Sequence, residues 1–266
     1  MIELLSYTFF SNALIAAILT SISCGIIGTY IVSRRIVFIS GGITHTSFGG
    51  IGMGYFLGMN PLIGAAIFSV LSAVGIEFMS KKTEIREDSA IAIMWSFGMA
   101  IGIIFIYLAP GYSPNLMSYL FGSILTVTQT ELYLSLTLSI SIVVIFTLFF
   151  KPILYTAFDA EYTKTRNIPV ALFNYLLMAL VALTIVMSIK IAGIILIISL
   201  LSIPQVTANL FVKDFKRIII FSILISLTGS IGGLVISYYL NIPSGAAIIF
   251  LLVIIFLLTR LKVKFF

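Results

Sequence analysis

A chain of 266 residues that is 61% hydrophobic and only 9% charged is not a soluble domain, because soluble domains carry charge on roughly a quarter of their residues. Fifteen basic residues against nine acidic ones leave a formal net charge of +6, but the basic residues fall between apolar runs, where they orient a membrane chain, and nucleic acid is excluded as a partner. A single cysteine, Cys24, excludes intramolecular disulfides and thiolate metal clusters and is read as a small packing residue.

Taken in chain order, Met1 to Tyr7 carries Glu3 and no lysine or arginine. The apolar run that follows is longer than the h-region of a signal peptide, so the first segment is expected to stay in the mature protein. A helix crosses the hydrocarbon core with about 20 mainly apolar residues. Stretches of that kind run from Thr8 to Val32, Ile36 to Gly58, Pro61 to Ser80, Ser89 to Ala109, Leu132 to Phe150, Pro169 to Ser188, Ile191 to Val212, Ile218 to Leu240 and Ile242 to Thr259. They predict an all-α, polytopic membrane protein of about nine transmembrane helices, with eight as the alternative count, in a single transmembrane domain over residues 1–266. Placing Arg34 and Arg35 in the cytoplasm and alternating sides thereafter leaves Lys190 as the one basic residue outside. That asymmetry orients the chain with its N-terminus outside and its C-terminus cytoplasmic.

Two connections stand out. Within Pro110 to Glu131, "NLMSYLFGSILTV" is apolar but too short to span, and is expected to form a re-entrant or interfacial helix. From Lys151 to Asn167, "KPILYTAFDAEYTKTRN" mixes acids, bases and aromatics. Two readings stay open there: a short amphipathic helix offering a docking face, or a solvated loop that keeps positive charge inside.

Few polar groups fall inside the spans. Glu77 lies four residues before Lys81, the spacing of an i to i+4 ion pair at a helix end. Glu87 and Asp88 precede the fourth span, with Asp88 read as its N-cap. Pro204, in "LLSIPQVTANLF", interrupts a helix and frees a carbonyl beside Gln205 and Asn209, as a simple kink or as a broken span that lines a site.

The single histidine, His45, sits in "ISGGITHTSFGG". Ionisable groups inside a span usually face a bundle interior or a hydrated path; the alternative is a histidine hydrogen-bonded to a neighbouring helix. At about 100° per residue, Gly50, Gly54 and Gly58 form a ridge roughly 140° to 180° from His45, suited to close helix packing. Gly41, Gly49 and Gly52 lie within about 40° of it and leave room around an imidazole. Neutral imidazole is a metal ligand suited to zinc, iron and copper, but one ligand does not hold a divalent ion without others.

Several ordered signatures, "SRRIVFISGGITHTSFGG", "REDSAIAIMWS", "LMSYLFGSILTVTQTEL", "FDAEYTKTRNIPV", "IAGIILIISLLSIPQVTANLF" and "IPSGAAIIFLLVIIFLL", together resemble the membrane permease of bacterial ABC uptake systems for zinc, manganese and iron. The resemblance runs from about Ile26 to Leu258. It implies a multi-pass permease of the inner membrane that pairs with a second copy, with two cytoplasmic ATP-binding subunits and with an extracytoplasmic metal-binding protein. It also implies a transported divalent cation as substrate, with no permanently bound cofactor and with ATP on the partner subunit. The family motif in the second span commonly has an aspartate four residues before the histidine; His45 matches the histidine, and Gly41 stands at the aspartate position. A weak transit site at His45, completed by water or carbonyls, is the expectation that follows. The resemblance further implies that Phe158 to Val170 couples to the ATPase, with Asp159, Glu161, Tyr162 and Arg166 as the residues in question. The chain has no GxxxxGK[ST] pattern and no Gly-Lys dipeptide, so it is not expected to hydrolyse ATP itself. The competing reading, an ion-gradient-driven secondary transporter or channel, needs coupling carboxylates near the bilayer centre, where Glu77 is the one candidate. An embedded enzyme would need convergent acids, bases or ligands that the spans do not offer.

Overall fold

The computed structural model describes residues 7–83, 85–110 and 124–265, apart from the side chains of Lys190 and Phe265. Every regular element among them is helical: α1 (Thr8–Ser33), α2 (Phe38–Phe56), α3 (Pro61–Lys82), α4 (Glu87–Leu108), a 3-10 turn (Ile124–Thr126), α5 (Gln129–Leu148), α6 (Phe150–Phe158), α7 (Ala160–Thr165), α8 (Val170–Ala192), α9 (Ile194–Leu200), α10 (Ile203–Phe211), α11 (Phe215–Leu240) and α12 (Ser244–Phe265). Among the described residues eight segments are long and apolar enough to cross a membrane. The ninth expected span is helix α2, whose glycines, serines, threonines and histidine leave it short of that apolarity. The re-entrant helix expected around "NLMSYLFGSILTV" falls on residues 115–127, of which 115–123 lie outside those described and 124–126 form the 3-10 turn.

The chain forms two compact units that interleave in sequence, which is why composition shows no boundary. One holds residues 7–33, 124–148 and 188–265. Its central element is α1, buried over most of its length and packed on α5 and α11. Small residues and hydroxyls make these contacts, as expected where lipid removes the hydrophobic drive between helices. Ser23 and Ser139 share a hydrogen bond of 2.8 Å between α1 and α5, Ser21 donates to Ser230 of α11 at 3.4 Å, and a Cβ on Gly25 would meet Ile223 at 2.5 Å. On α11 the buried stripe Ser222, Ser226, Ser230, Gly233 and Ser237 repeats at helical spacing.

The same unit contains a discontinuous span. Gly193, at φ 79°, ends α8 and starts α9 in a conformation that disfavours a side chain. A second break follows at Leu201 and Ser202, with Pro204 in the first turn of α10. Proline has no N–H to give the carbonyl four residues back, which is that of Leu200. The side-chain amide of Gln205 supplies the missing donor: its Nε2 donates to Leu200 O at 3.0 Å and to Cys24 O of α1 at 2.8 Å. Gly28 leaves the space this needs, since a Cβ there would collide with the same amide and lie 2.8 Å from Leu201 O. Pro204 thus marks a broken span whose freed carbonyl is satisfied within the protein.

The second unit holds residues 34–83, 85–110 and 149–187. Helix α2 packs closely on both α3 and α4. Toward α3, Gly50 lies against Gly64, and a Cβ on Gly54 would meet Pro61 Cα at 2.9 Å. Toward α4, Gly42 lies against Ile91, and Gly49 and Gly52 lie against the carbonyls of Gly98 and Gly102. Gly49, which also meets the Phe68 ring of α3, and Gly52 are therefore filled by neighbouring helices instead of leaving space around the imidazole. Gly58 lies outside α2, at φ 66° with no neighbour within 4 Å of a Cβ position; its N–H closes the helix end on Tyr55 O. The chain then re-enters α3 at Pro61, with Asn60 as N-cap accepting from Leu62 N at 2.9 Å.

Two expectations about charge change here. Glu77 is 1% exposed and pairs with Arg34 at 3.7 Å, not with Lys81, which is exposed. Arg34 also reaches Glu87 at 3.6 Å, so one guanidinium ties the loop before α2 to α3 and α4. A carboxylate buried to that degree needs a compensating charge beside it, and Arg34 provides it. Asp88 is inside the first turn of α4, which begins at Glu87 with Arg86 as N-cap; its carboxylate accepts from Ser89 N at 2.9 Å and pairs with Arg86 at 3.0 Å.

Replacing Gln205 by Leu orphans the Leu200 carbonyl at a cost of about 1–3 kcal/mol. The expected outcome is a lower thermal midpoint in detergent, reproduced by Gly28→Ala, which displaces the same amide.

Candidate functional site

Between Ile39 and Gly52 every residue of α2 is buried except His45, which is half-buried. The hydroxyls around it are all tied to backbone. Thr44 donates to Ser40 O, Ser47 to Thr44 O at 2.6 Å, and Thr46 to Gly42 O at 2.5 Å with a second contact to Met94 O at 3.3 Å. Gly41, one turn before His45, is buried and offers no side-chain ligand.

The imidazole stacks on Trp95 of α4, with ring centroids 4.4 Å apart and planes 6° from parallel. Phe48 lies further off, at 6.3 Å and 22°. Aromatic pairs of this kind contribute about 0.5–1.5 kcal/mol beyond their burial. Among the described residues neither imidazole nitrogen is hydrogen-bonded, so this histidine is not the interhelical hydrogen-bonding kind. In the neutral ring one nitrogen is then free to accept from water or to ligate an ion, and the other to donate. Among the described residues no group of three or more His, Cys, Asp or Glu could hold a metal; a divalent ion at His45 would draw the rest of its ligands from elsewhere. Trp95 is the functional candidate that sequence reasoning missed. Its one signal is being the single tryptophan of the chain, and nothing in a linear reading pairs it with a residue fifty positions earlier.

The second candidate region is the connection after α5. It is two short helices, α6 and α7, meeting at Asp159. Asp159 caps α7, its carboxylate accepting from Tyr162 N at 2.9 Å. Glu161 pairs with Lys164 at 2.7 Å on an exposed face. Arg166 Nε donates to the Tyr162 hydroxyl at 3.0 Å and its guanidinium lies 5.4 Å from that ring, an arrangement that raises the arginine pKa above its usual range. Tyr155 meets Tyr162 edge-on at 5.2 Å. Beneath, Thr163 is fully buried. The segment is therefore an ordered helical knuckle with an exposed polar surface, and Asp159, Glu161, Tyr162 and Arg166 fall together on it. Beside it opens a cavity of about 400 Å³ lined by Glu77, Lys81, Glu161, Lys164 and Asn174 among others. His45 and this knuckle stand on separate helices of the unit.

Residues 6–262 match the model of the ABC 3 transport family. The chain belongs to that family. It is a permease of the metal ABC transporter type and a multi-pass protein of the bacterial inner membrane. It is 42% identical over 259 residues to an uncharacterized membrane protein of Synechocystis, covering 97% of this chain and 92% of that protein. To the manganese transport system membrane protein MntC of Halalkalibacterium halodurans it is 33% identical over 247 residues, covering 93% and 85%. Among solved structures it resembles PsaBC from Streptococcus pneumoniae in complex with Fab, with a TM-score of 0.85 and 34% identity over 97% of this chain and 93% of that one.

Asp159→Ala removes the cap of a six-residue helix, at a typical cost of about 0.5–2 kcal/mol. Amide exchange is expected to accelerate across 160–168 while α8 keeps its protection.

Proposed function

We propose that this chain is the permease subunit of an ATP-driven importer that carries a divalent transition-metal cation, of the class that includes the manganese named for its relatives, into the cytoplasm. The observation that carries the reading is His45: the one half-exposed position in a buried stretch of α2, with both ring nitrogens unbonded. A neutral imidazole suits such a cation, and with Gly41 in place of an acid it binds weakly enough to let the ion leave. In this reading two copies of the permease face each other across the pathway and the N-terminus lies outside. An extracytoplasmic metal-binding protein delivers the ion, and cytoplasmic ATP-binding subunits seat against the α6–α7 knuckle. Nucleotide changes the permease because its bound and hydrolysed states favour different permease conformations.

The gradient-driven alternative loses its one candidate carboxylate, since Glu77 is already paired with Arg34. Energetic coupling by proton or sodium would need a carboxylate free to change its partner.

His45→Ala, co-expressed with the ATPase subunits, is expected to drop manganese and zinc uptake to background with membrane abundance unchanged; normal uptake would return the histidine to a packing role. Glu161→Lys combined with Arg166→Glu, both exposed, is expected to strip the ATPase from the purified complex, and undiminished co-purification would remove the knuckle from the docking surface. Uptake at full rate into liposomes holding the permease alone would overturn ATP dependence.

A further inference from the structure

Helices α2 and α4 meet along two matching stripes. On α2 the stripe runs through Gly42, His45, Thr46, Gly49 and Gly52; on α4 it runs through Ile91, Trp95, Gly98 and Gly102. Nearly every contact is backbone against backbone or methyl: Gly42 on Ile91, Gly98 within 2.7 Å of Thr46 Cα at its Cβ position, Gly102 within 2.6 Å of Phe48 O. One rung is different. At His45 and Trp95 two large flat groups lie parallel at 4.4 Å, in a seam whose other members are reduced to bring the backbones together.

A histidine that ligates a metal normally gives its second ring nitrogen to a carboxylate or carbonyl, which fixes the ring's orientation. His45 has no such partner among the described residues, and Gly41, one turn away on the same face, supplies no side chain. Without some other restraint the ring would turn about its side-chain bonds between turns of transport. The indole is that restraint. A parallel face covers the imidazole plane and not its edge, which carries both nitrogens, while holding that plane.

We propose that Trp95 is the positioning residue for the metal-ligating edge of His45, replacing by stacking what a hydrogen-bonded partner does elsewhere. It rests on the reading of His45 as a pathway ligand, and it adds that ligand geometry is set from α4. Because the restraint acts on the plane and not on either nitrogen, it works for the neutral ring in either tautomer. A flat aromatic ring of any kind should serve; a branched aliphatic side chain of similar bulk should not.

The test is manganese and zinc uptake by the assembled transporter carrying Trp95→Phe or Trp95→Leu. The expected result for Trp95→Leu is a KM raised by about tenfold or more, the scale on which loss of a ligand's orienting partner acts, with kcat little changed, while Trp95→Phe stays near wild type. Equal behaviour of the two variants, or an unchanged KM in Trp95→Leu, overturns the proposal. If that happens while His45→Ala is inactive, Trp95 alone is dismissed and the pathway reading stands; if His45→Ala transports normally, the pathway reading fails and takes the proposal with it. Should Trp95→Leu fail to accumulate, the wild-type chain decides. Trp95 is its single tryptophan, so adding Mn2+ to the full chain in lipid nanodiscs should quench tryptophan emission, and His45→Ala should abolish the quench. Emission unmoved by Mn2+, or a quench that survives in His45→Ala, refutes the placement of the ion at the stack.

Discussion

Close backbone approach governs the second unit. Inside a bilayer the apolar surfaces of two helices gain little from leaving lipid, so contact must come from packing and short-range polar interactions. Helix α2 answers with glycine on two faces, taking Gly64 and Pro61 on one and Gly98 and Gly102 on the other. Once those backbones touch, the remaining side chains of α2 have no freedom to move away, and a ring at position 45 meets whatever α4 presents at that height. The stack with Trp95 follows from the glycines as much as from the two rings.

Charge closes one end of the same unit by a different route. Arg34 sits between Glu77 and Glu87, and burial makes this pairing costly to disturb from either side. It fixes the ends of α3 and α4 relative to the loop that starts α2, so the glycine contacts begin in register. The cavity beside the α6–α7 knuckle shares Glu77 with this cluster.

Much of this was legible in the sequence, and the reasons for the remainder are physical. Long apolar runs mark helices because a bilayer admits few alternatives, so most spans agree with the helices within a few residues; Ile191 to Val212 is instead broken in two, and the last helix runs on to Phe265 past the expected Thr259. Gly50 and Gly54 could be placed on one ridge by periodicity. Partners could not be read, because pairing across helices depends on rotation and depth that periodicity leaves open. Lys81 is one helical turn from Glu77 and looked like its partner, whereas Arg34 is distant in sequence and near in space. Gly49 and Gly52 read as open space since an absent side chain looks the same whether water or a neighbouring backbone fills the gap. Asp159 was singled out by its segment, but that its carboxylate turns back onto Tyr162 N belongs to the cap geometry.

The discontinuous span carries a constraint of another sort. At position 205 the chain requires one group with two hydrogens on a single nitrogen, no charge, and enough reach to touch carbonyls on two helices. Glutamate would set a third acceptor against two others, asparagine would fall one methylene short, and lysine would bring an ammonium into hydrocarbon. Among the natural amino acids glutamine alone meets the specification, so this position should drift far less than the aliphatic residues that surround it.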